Sequence, residues 1–194
     1  MDRRTFLAVT AAAALPALPA WSLSASSAQA LVQAAVTDIN RVVNSVSSES
    51  QAAREFERIF SRYADVPNIA RYTLGVEARS ASASQLRSYT QVFQGYIARK
   101  YAKQFRDFRG GEVQVTGARA VNNIVEVTSV AAVPGQSPVE VQFLVRDAGG
   151  NDRIYNIFVE GVNLLLSERD EILAMLDARG GDLGRLTQDL RSLG

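Results

Sequence analysis

The chain has 194 residues, with 21 Lys and Arg against 20 Asp and Glu, and it contains neither His nor Cys. Without those two residue types there is no Ser-His-Asp or Cys-His nucleophile system, no imidazole base, no zinc site built on nitrogen or sulfur, and no disulfide to support the core. Carboxylate, Tyr, Lys and Ser-Lys chemistry stays open, while a net charge of +1 makes the chain a poor general nucleic-acid binder.

Residues 1–30 read as a cleaved export signal: a charged start, an apolar stretch from Phe6 to Leu18, and a small-residue end at Ala28-Gln29-Ala30. Pro16 and Pro19 break the apolar stretch, which is too short to span a membrane. Arg3 and Arg4 followed by Thr5, Phe6 and Leu7 match the twin-arginine pattern, with a chance Arg pair ahead of a general secretory signal as the other reading. Removing Asp2, Arg3 and Arg4 with the signal leaves 19 basic and 19 acidic residues. Residues 31–194 have the length of a single domain, able to bury roughly two-thirds of its surface, and show neither a linker nor a repeat.

From Leu31, Val32, Val36, Ile39, Val43 and Val46 recur at helical spacing until Ser47, Ser48 and Ser50 interrupt them. A second helix carries Phe56, Ile59, Phe60 and Tyr63 on one side. Asp65-Val66-Pro67-Asn68 is expected to be a turn, with Ile69 to Leu74 a short helix stopped by Gly75. Ser82 and Gln85 have capping-box spacing and open what is expected to be the longest helix. Leu86, Tyr89, Phe93, Ile97, Tyr101, Phe105 and Phe108 step along it by three or four, up to Gly110 and Gly111.

Four strands are expected near 113–121, 124–133, 139–147 and 153–160, joined by turns short enough for an antiparallel meander. The last strand carries apolar groups on both faces and must be covered on both. Ser167 is expected to open a helix bearing Ile172, Leu173 and Leu176, and Leu183, Leu186, Leu190 and Leu193 form a final amphipathic helix.

Few residues point to chemistry. Arg99, Lys100, Lys103 and Arg106 alternate with aromatics, as a nucleic-acid surface would, but the aromatics fall on the helix's own apolar stripe, so the bases read as a solvated face. Asp65, Arg71, Arg79 and Glu160 stand near turns as caps or surface ion pairs. No phosphate-binding glycine loop is present. No charged residue lies on the long helix's stripe, which leaves a small-ligand enzyme on a cone-shaped fold weakly supported and predicts few polar anchors in any pocket.

Two stretches, DVPNIARYTLGVEARSASASQ (65–85) and RIYNIFVEGVNLLLSERDEI (153–172), resemble the signature segments of the MlaC family, the toluene-tolerance auxiliary component. The matching positions are Asp65, Ile69, Ala70, Arg71, Leu74, Gly75, Arg79, Ser82 and Gln85, then Tyr155, Glu160, Gly161, Val162, Leu164 and Arg169. Ala78, Arg153, Asn156 and Asn163 depart from the family pattern, which often has Asp at the third of these and Ser at the fourth.

The resemblance implies an α+β fold in which a curved four-stranded antiparallel sheet is wrapped by helices and encloses an apolar lipid pocket, with the head group outside. It implies a periplasmic, non-enzymatic phospholipid carrier that maintains outer-membrane lipid asymmetry. Its partners would be an outer-membrane lipoprotein complex and an inner-membrane ABC transporter with an MCE subunit. No cofactor, metal or nucleic acid is expected, and the chain is expected to be a monomer. The alternatives are a non-catalytic interaction module with a filled core, and the small-ligand enzyme above. With a carrier in view, the last strand, the VNLLL turn and the long helix supply the expected lipid contacts: Ile69, Leu74, Tyr89, Phe93, Ile97, Tyr101, Phe143, Tyr155, Ile157, Val162 and Leu164. Each of these is at least as well suited to simple core filling.

Overall fold

The computed structural model describes residues 23–194; the charged start and apolar stretch of the expected export signal lie outside them. Helix α1, Ala25–Ser45, opens with a capping box between Ser24 and Ser27, six residues ahead of the expected start. It therefore runs through the expected cleavage point, and Ala28 is fully buried. Helix α2, Glu49–Tyr63, is capped by Ser48.

The expected turn at 65–68 is instead the first turn of α3, Val66–Thr73. Pro67 fits there because the first helical N–H groups have no intrahelical partner to lose. Asp65 holds the cap position without a side-chain cap bond. Its carboxylate accepts two bonds from the Arg146 guanidinium, at 2.6 and 3.1 Å, and further bonds from Asn68. Gly75, at φ +58, turns the chain into a 3-10 segment, Gly75–Arg79.

The capping box at Ser82 and Gln85 opens α4, Ala83–Ala102, as the spacing predicts; at 20 residues it is one shorter than α1, so it is not the longest. The expected solvated basic face is partly structural. Arg99 donates to the Leu190 and Leu193 carbonyls, and Arg109 to that of Val46.

The sheet has five strands rather than four: β1 Glu112–Val121, β2 Ile124–Ala132, β3 Val139–Asp147, β4 Asp152–Val159 and the two-residue β5 Val162–Asn163. They form an antiparallel meander in chain order. Glu160 and Gly161, both at positive φ, make the tight β4–β5 turn. Helix α5, Leu164–Asp177, starts three residues before the expected Ser167, because the Asn163 side chain accepts from the Leu166 N–H and caps it. Helix α6 spans Leu183–Asp189, so Leu193 lies beyond it and is exposed.

Register shifts bend the sheet at two places, opposite Thr116 on β1 and Tyr155 on β4. The second matters for side-chain placement. Ile154 and Ile157 are three residues apart and would point to opposite faces of a regular strand. The extra residue reverses the parity, so Ile154 pairs with Val145 and Ile157 with Phe143, and all four pack into one core.

That core lies between the sheet and α1 with α2, and includes Val32, Val36, Ile59, Tyr63, Val125 and Val127. A second core, with Leu74, Tyr89, Phe93, Ile172, Leu176 and Leu186, is built by α3, α4, α5 and α6. Because Ala28 and Leu23 pack into the first core and Ser24 caps α1, a chain beginning at Leu31 is expected to be about 2 kcal/mol less stable than one beginning at Ser22. Urea unfolding of the two checks this; equal midpoints would mean that the first turn of α1 contributes nothing.

Candidate functional site

Between the two cores lies an apolar cavity of about 190 Å³, more than ten times the 10–15 Å³ or so needed by one water. Helix α1 gives it Ala35 and Ile39, and α2 gives Phe56, Ile59, Phe60 and Tyr63. Phe93, Ile97 and Tyr101 reach it from α4, while Phe143, Ile154, Tyr155 and Ile157 come from the sheet. Ile69, Leu164 and Leu165 close it on the side of α3 and α5.

Eight of the eleven expected contacts line this cavity: Ile69, Phe93, Ile97, Tyr101, Phe143, Tyr155, Ile157 and Leu164. Three do not. Leu74 and Tyr89 are completely buried in the helical core, where the Tyr89 hydroxyl is bonded to Thr73 and burial raises its pKa. Val162, on β5, faces solvent at 54 % exposure. Phe108, expected at the end of the α4 stripe, is also exposed.

The α2 stripe was legible as an amphipathic face, but periodicity alone cannot tell a face that fills a core from one that lines a void. Glu168 was missed for a different reason. Leu164, Glu168, Ile172 and Leu176 follow one another at spacing four, so a helix begun at Asn163 would have placed this carboxylate inside an apolar stripe. A start at Ser167 hides it.

Glu168 lines the cavity and is 7 % exposed. Its Oε1 accepts from Lys100 Nζ and from the Tyr101 hydroxyl, both at 2.7 Å, while its Oε2 has no partner among the described residues. Lys100 also donates to Glu171, whose other oxygen accepts from the Tyr96 hydroxyl at 2.6 Å. Burial pushes the Tyr101 and Tyr96 hydroxyl pKa values up, and the neighbouring carboxylates push them further. Burial alone would raise Glu171, but its bonds to Lys100 and Tyr96 outweigh that and hold its carboxyl below the ordinary range. For Lys100, burial is overcome by the two carboxylates, and the ammonium titrates above its ordinary value. Asn156 is the other polar lining residue: its Oδ1 accepts from the Ile157 and Leu165 N–H groups, and its Nδ2 donates to Asn163.

The sequence profile of the MlaC protein family matches residues 29–192. The chain belongs to the MlaC family. Among solved structures it is similar to the phospholipid-binding protein of Ralstonia solanacearum, determined in complex with a phospholipid, at 22 % identity and a TM-score of 0.72. The similarity covers 85 % of this chain and 95 % of that one. The MlaC fold here is thus an α+β architecture whose open antiparallel sheet and helices leave an apolar cavity between two cores. Among the described residues, no helix is long and apolar enough to cross a membrane, and no group of three or more acidic side chains could hold a metal ion.

The Glu171 bonds contribute fully above about pH 4.5, the ordinary carboxyl value, and are lost as pH falls through the lowered folded value. The Lys100 contribution is complete below about pH 10.5 and is lost only above its raised value. Glu171→Gln is therefore expected to be less stable than wild type at pH 7, with the gap narrowing toward pH 3. Urea unfolding across that range checks it, and a gap independent of pH would remove the charge network from the account.

Proposed function

We propose that this MlaC family member is a periplasmic phospholipid carrier that holds acyl chains in the apolar cavity. It shuttles lipid between an outer-membrane lipoprotein complex and an inner-membrane ABC transporter with an MCE subunit, and so maintains outer-membrane lipid asymmetry. The observation that supports this most directly is an apolar cavity left open between two well-packed cores, in a chain whose structural relative was solved with a phospholipid.

Two acyl chains hold about thirty methylenes, and exposing them costs about 0.8 kcal/mol each, on the order of 24 kcal/mol in all. A lipid that large does not cross water unaccompanied. A cavity lined by apolar side chains offers the tails an environment close to that of a bilayer, so binding and release are nearly balanced and direction comes from the membrane partners. The carrier works as a monomer, and a twin-arginine signal at its N-terminus would bring it to the periplasm, with the cut ahead of Leu23 so that α1 keeps its cap and the first core keeps Leu23.

The protein catalyses nothing in this reading. Glu168, the buried carboxylate of the cavity, is held through Oε1 by Lys100 and Tyr101, so that all three groups are engaged with one another. A filled-core interaction module is less consistent with a void of this size.

Native mass spectrometry of protein purified from periplasm, followed by solvent extraction, tests the proposal. Phospholipid is expected at near-stoichiometric amounts. Ile39→Trp and Ile157→Trp, which fill the cavity from α1 and β4, are each expected to lower occupancy about tenfold or more at unchanged Tm, while Lys103→Ala leaves it intact. Wild-type protein that is empty and takes no lipid from vesicles would refute the carrier.

A further inference from the structure

Beside the apolar cavity lies an open cleft of about 600 Å³ that shares Ile69, Tyr155, Asn156 and Leu165 with it, so the two spaces adjoin. The cleft is lined by four arginines, Arg71, Arg79, Arg146 and Arg169, and by no acidic residue. In a chain with a net charge of only +1, that is a local concentration of positive charge.

Arg146 is neutralised, since its guanidinium is bonded to Asp65 and lies over the Tyr155 ring at 5.3 Å. The other three form no salt bridge among the described residues. Arg169 is nonetheless positioned. Its guanidinium stacks on Tyr72 at 4.9 Å and sits so close to Gly75 that a Cβ there would lie 3.2 Å from Nη2. Gly75 at φ +58 therefore serves both the turn after α3 and the seat of this side chain.

Three uncompensated guanidinium groups beside an apolar cavity, that of Arg169 held in place, suit an anion tethered to apolar chains. The planar fork of Arg matches phosphate oxygens bidentately, and each charge-assisted bond is stronger than a neutral one. We propose that Arg71, Arg79 and Arg169 form a subsite for the phosphodiester of a lipid head group whose tails occupy the cavity. This rests on the carrier reading and adds to it a polar anchor that the apolar cavity lacks: the head group lies outside the cavity but on the protein.

The test presents lipid-free protein with mixed micelles containing equal amounts of phosphatidylglycerol and of diacylglycerol with the same chains, and measures the bound ratio by native mass spectrometry. Wild type is expected to favour phosphatidylglycerol roughly tenfold or more, a preference that weakens at high salt. The triple variant Arg71→Gln, Arg79→Gln, Arg169→Gln is expected to lose the preference while retaining diacylglycerol, which also shows that it folds.

Equal uptake of both lipids by wild type, or an unchanged preference in the triple variant, overturns the subsite and leaves the carrier standing. Uptake of neither lipid by wild type overturns both. Inorganic phosphate titrated alone onto lipid-free protein is expected to give no saturable signal up to about 1 mM, because the site depends on tethering by the tails. Saturable binding in that range would assign the cleft to a free anion and overturn the head-group assignment.

Discussion

The structure depends on two hydrophobic cores that are bridged but not merged. The sheet with α1 and α2 makes one, the helices α3 to α6 make the other, and α4 belongs to both. Tyr89 packs among the helices, Phe93, Ile97 and Tyr101 face the seam, and Ala102 packs in the sheet core. Leaving about 190 Å³ unfilled forfeits packing worth about 5 kcal/mol at roughly 24 cal/mol per Å³, a large share of the stability of an ordinary domain. Such a void persists only if the walls are held apart by contacts of their own. Each core has buried contacts of its own away from the cavity, and the β4 bulge turns Ile154 and Ile157 to the same side, where both line it.

The charges at the cavity's edge serve the same seam. Lys100 on α4 reaches Glu168 and Glu171 on α5, and the hydroxyls of Tyr96 and Tyr101 complete the set, so the two helices are tied at the cavity's edge without filling it. A buried ion pair roughly breaks even against apolar packing of the same volume. What it provides is directional attachment between helices whose apolar faces would otherwise slide toward the void. Glu168 is best understood as part of this tie, despite facing the cavity.

Much of this was legible in the sequence, for identifiable reasons. The α4 stripe and its capping box survive because spacing and local hydrogen bonding are properties of the segment itself. The alternation of β3 is likewise local. The errors arose where a local rule met a longer-range one. Pro67 reads as a breaker unless Asp65 is known to be tied to Arg146 across the sheet. Ser167 looks like the better helix cap until Asn163 is seen to cap α5 itself. The bulge at Tyr155 leaves no trace in a strand that is apolar on both faces. Tyr89 and Phe93 sit one helical turn apart on one stripe, and only the approach of α2 and the sheet decides that the second borders the cavity and the first does not.

Two departures from the family pattern turn out to be one. Asn156 and Asn163 bond to each other, Nδ2 of the first donating to Oδ1 of the second at 3.0 Å. Asn156 uses its own Oδ1 to accept from the Ile157 and Leu165 N–H groups, and Asn163 uses the shared oxygen to cap α5 through Leu166. With Asp at the first position and Ser at the second, the carboxylate still accepts both N–H groups but has no hydrogen to give, and the serine hydroxyl supplies it. The donor has changed sides and the bond remains. Either pair keeps the bond between the two side chains and the bonds to the Ile157, Leu165 and Leu166 N–H groups, whereas Asp opposite Asn163 would set two acceptors against each other or turn the amide away from the helix it caps. The junction closes one wall of the cavity and adjoins the arginine-lined cleft, so a change at either of these two residues needs a matching change at the other to preserve the wall that both spaces share.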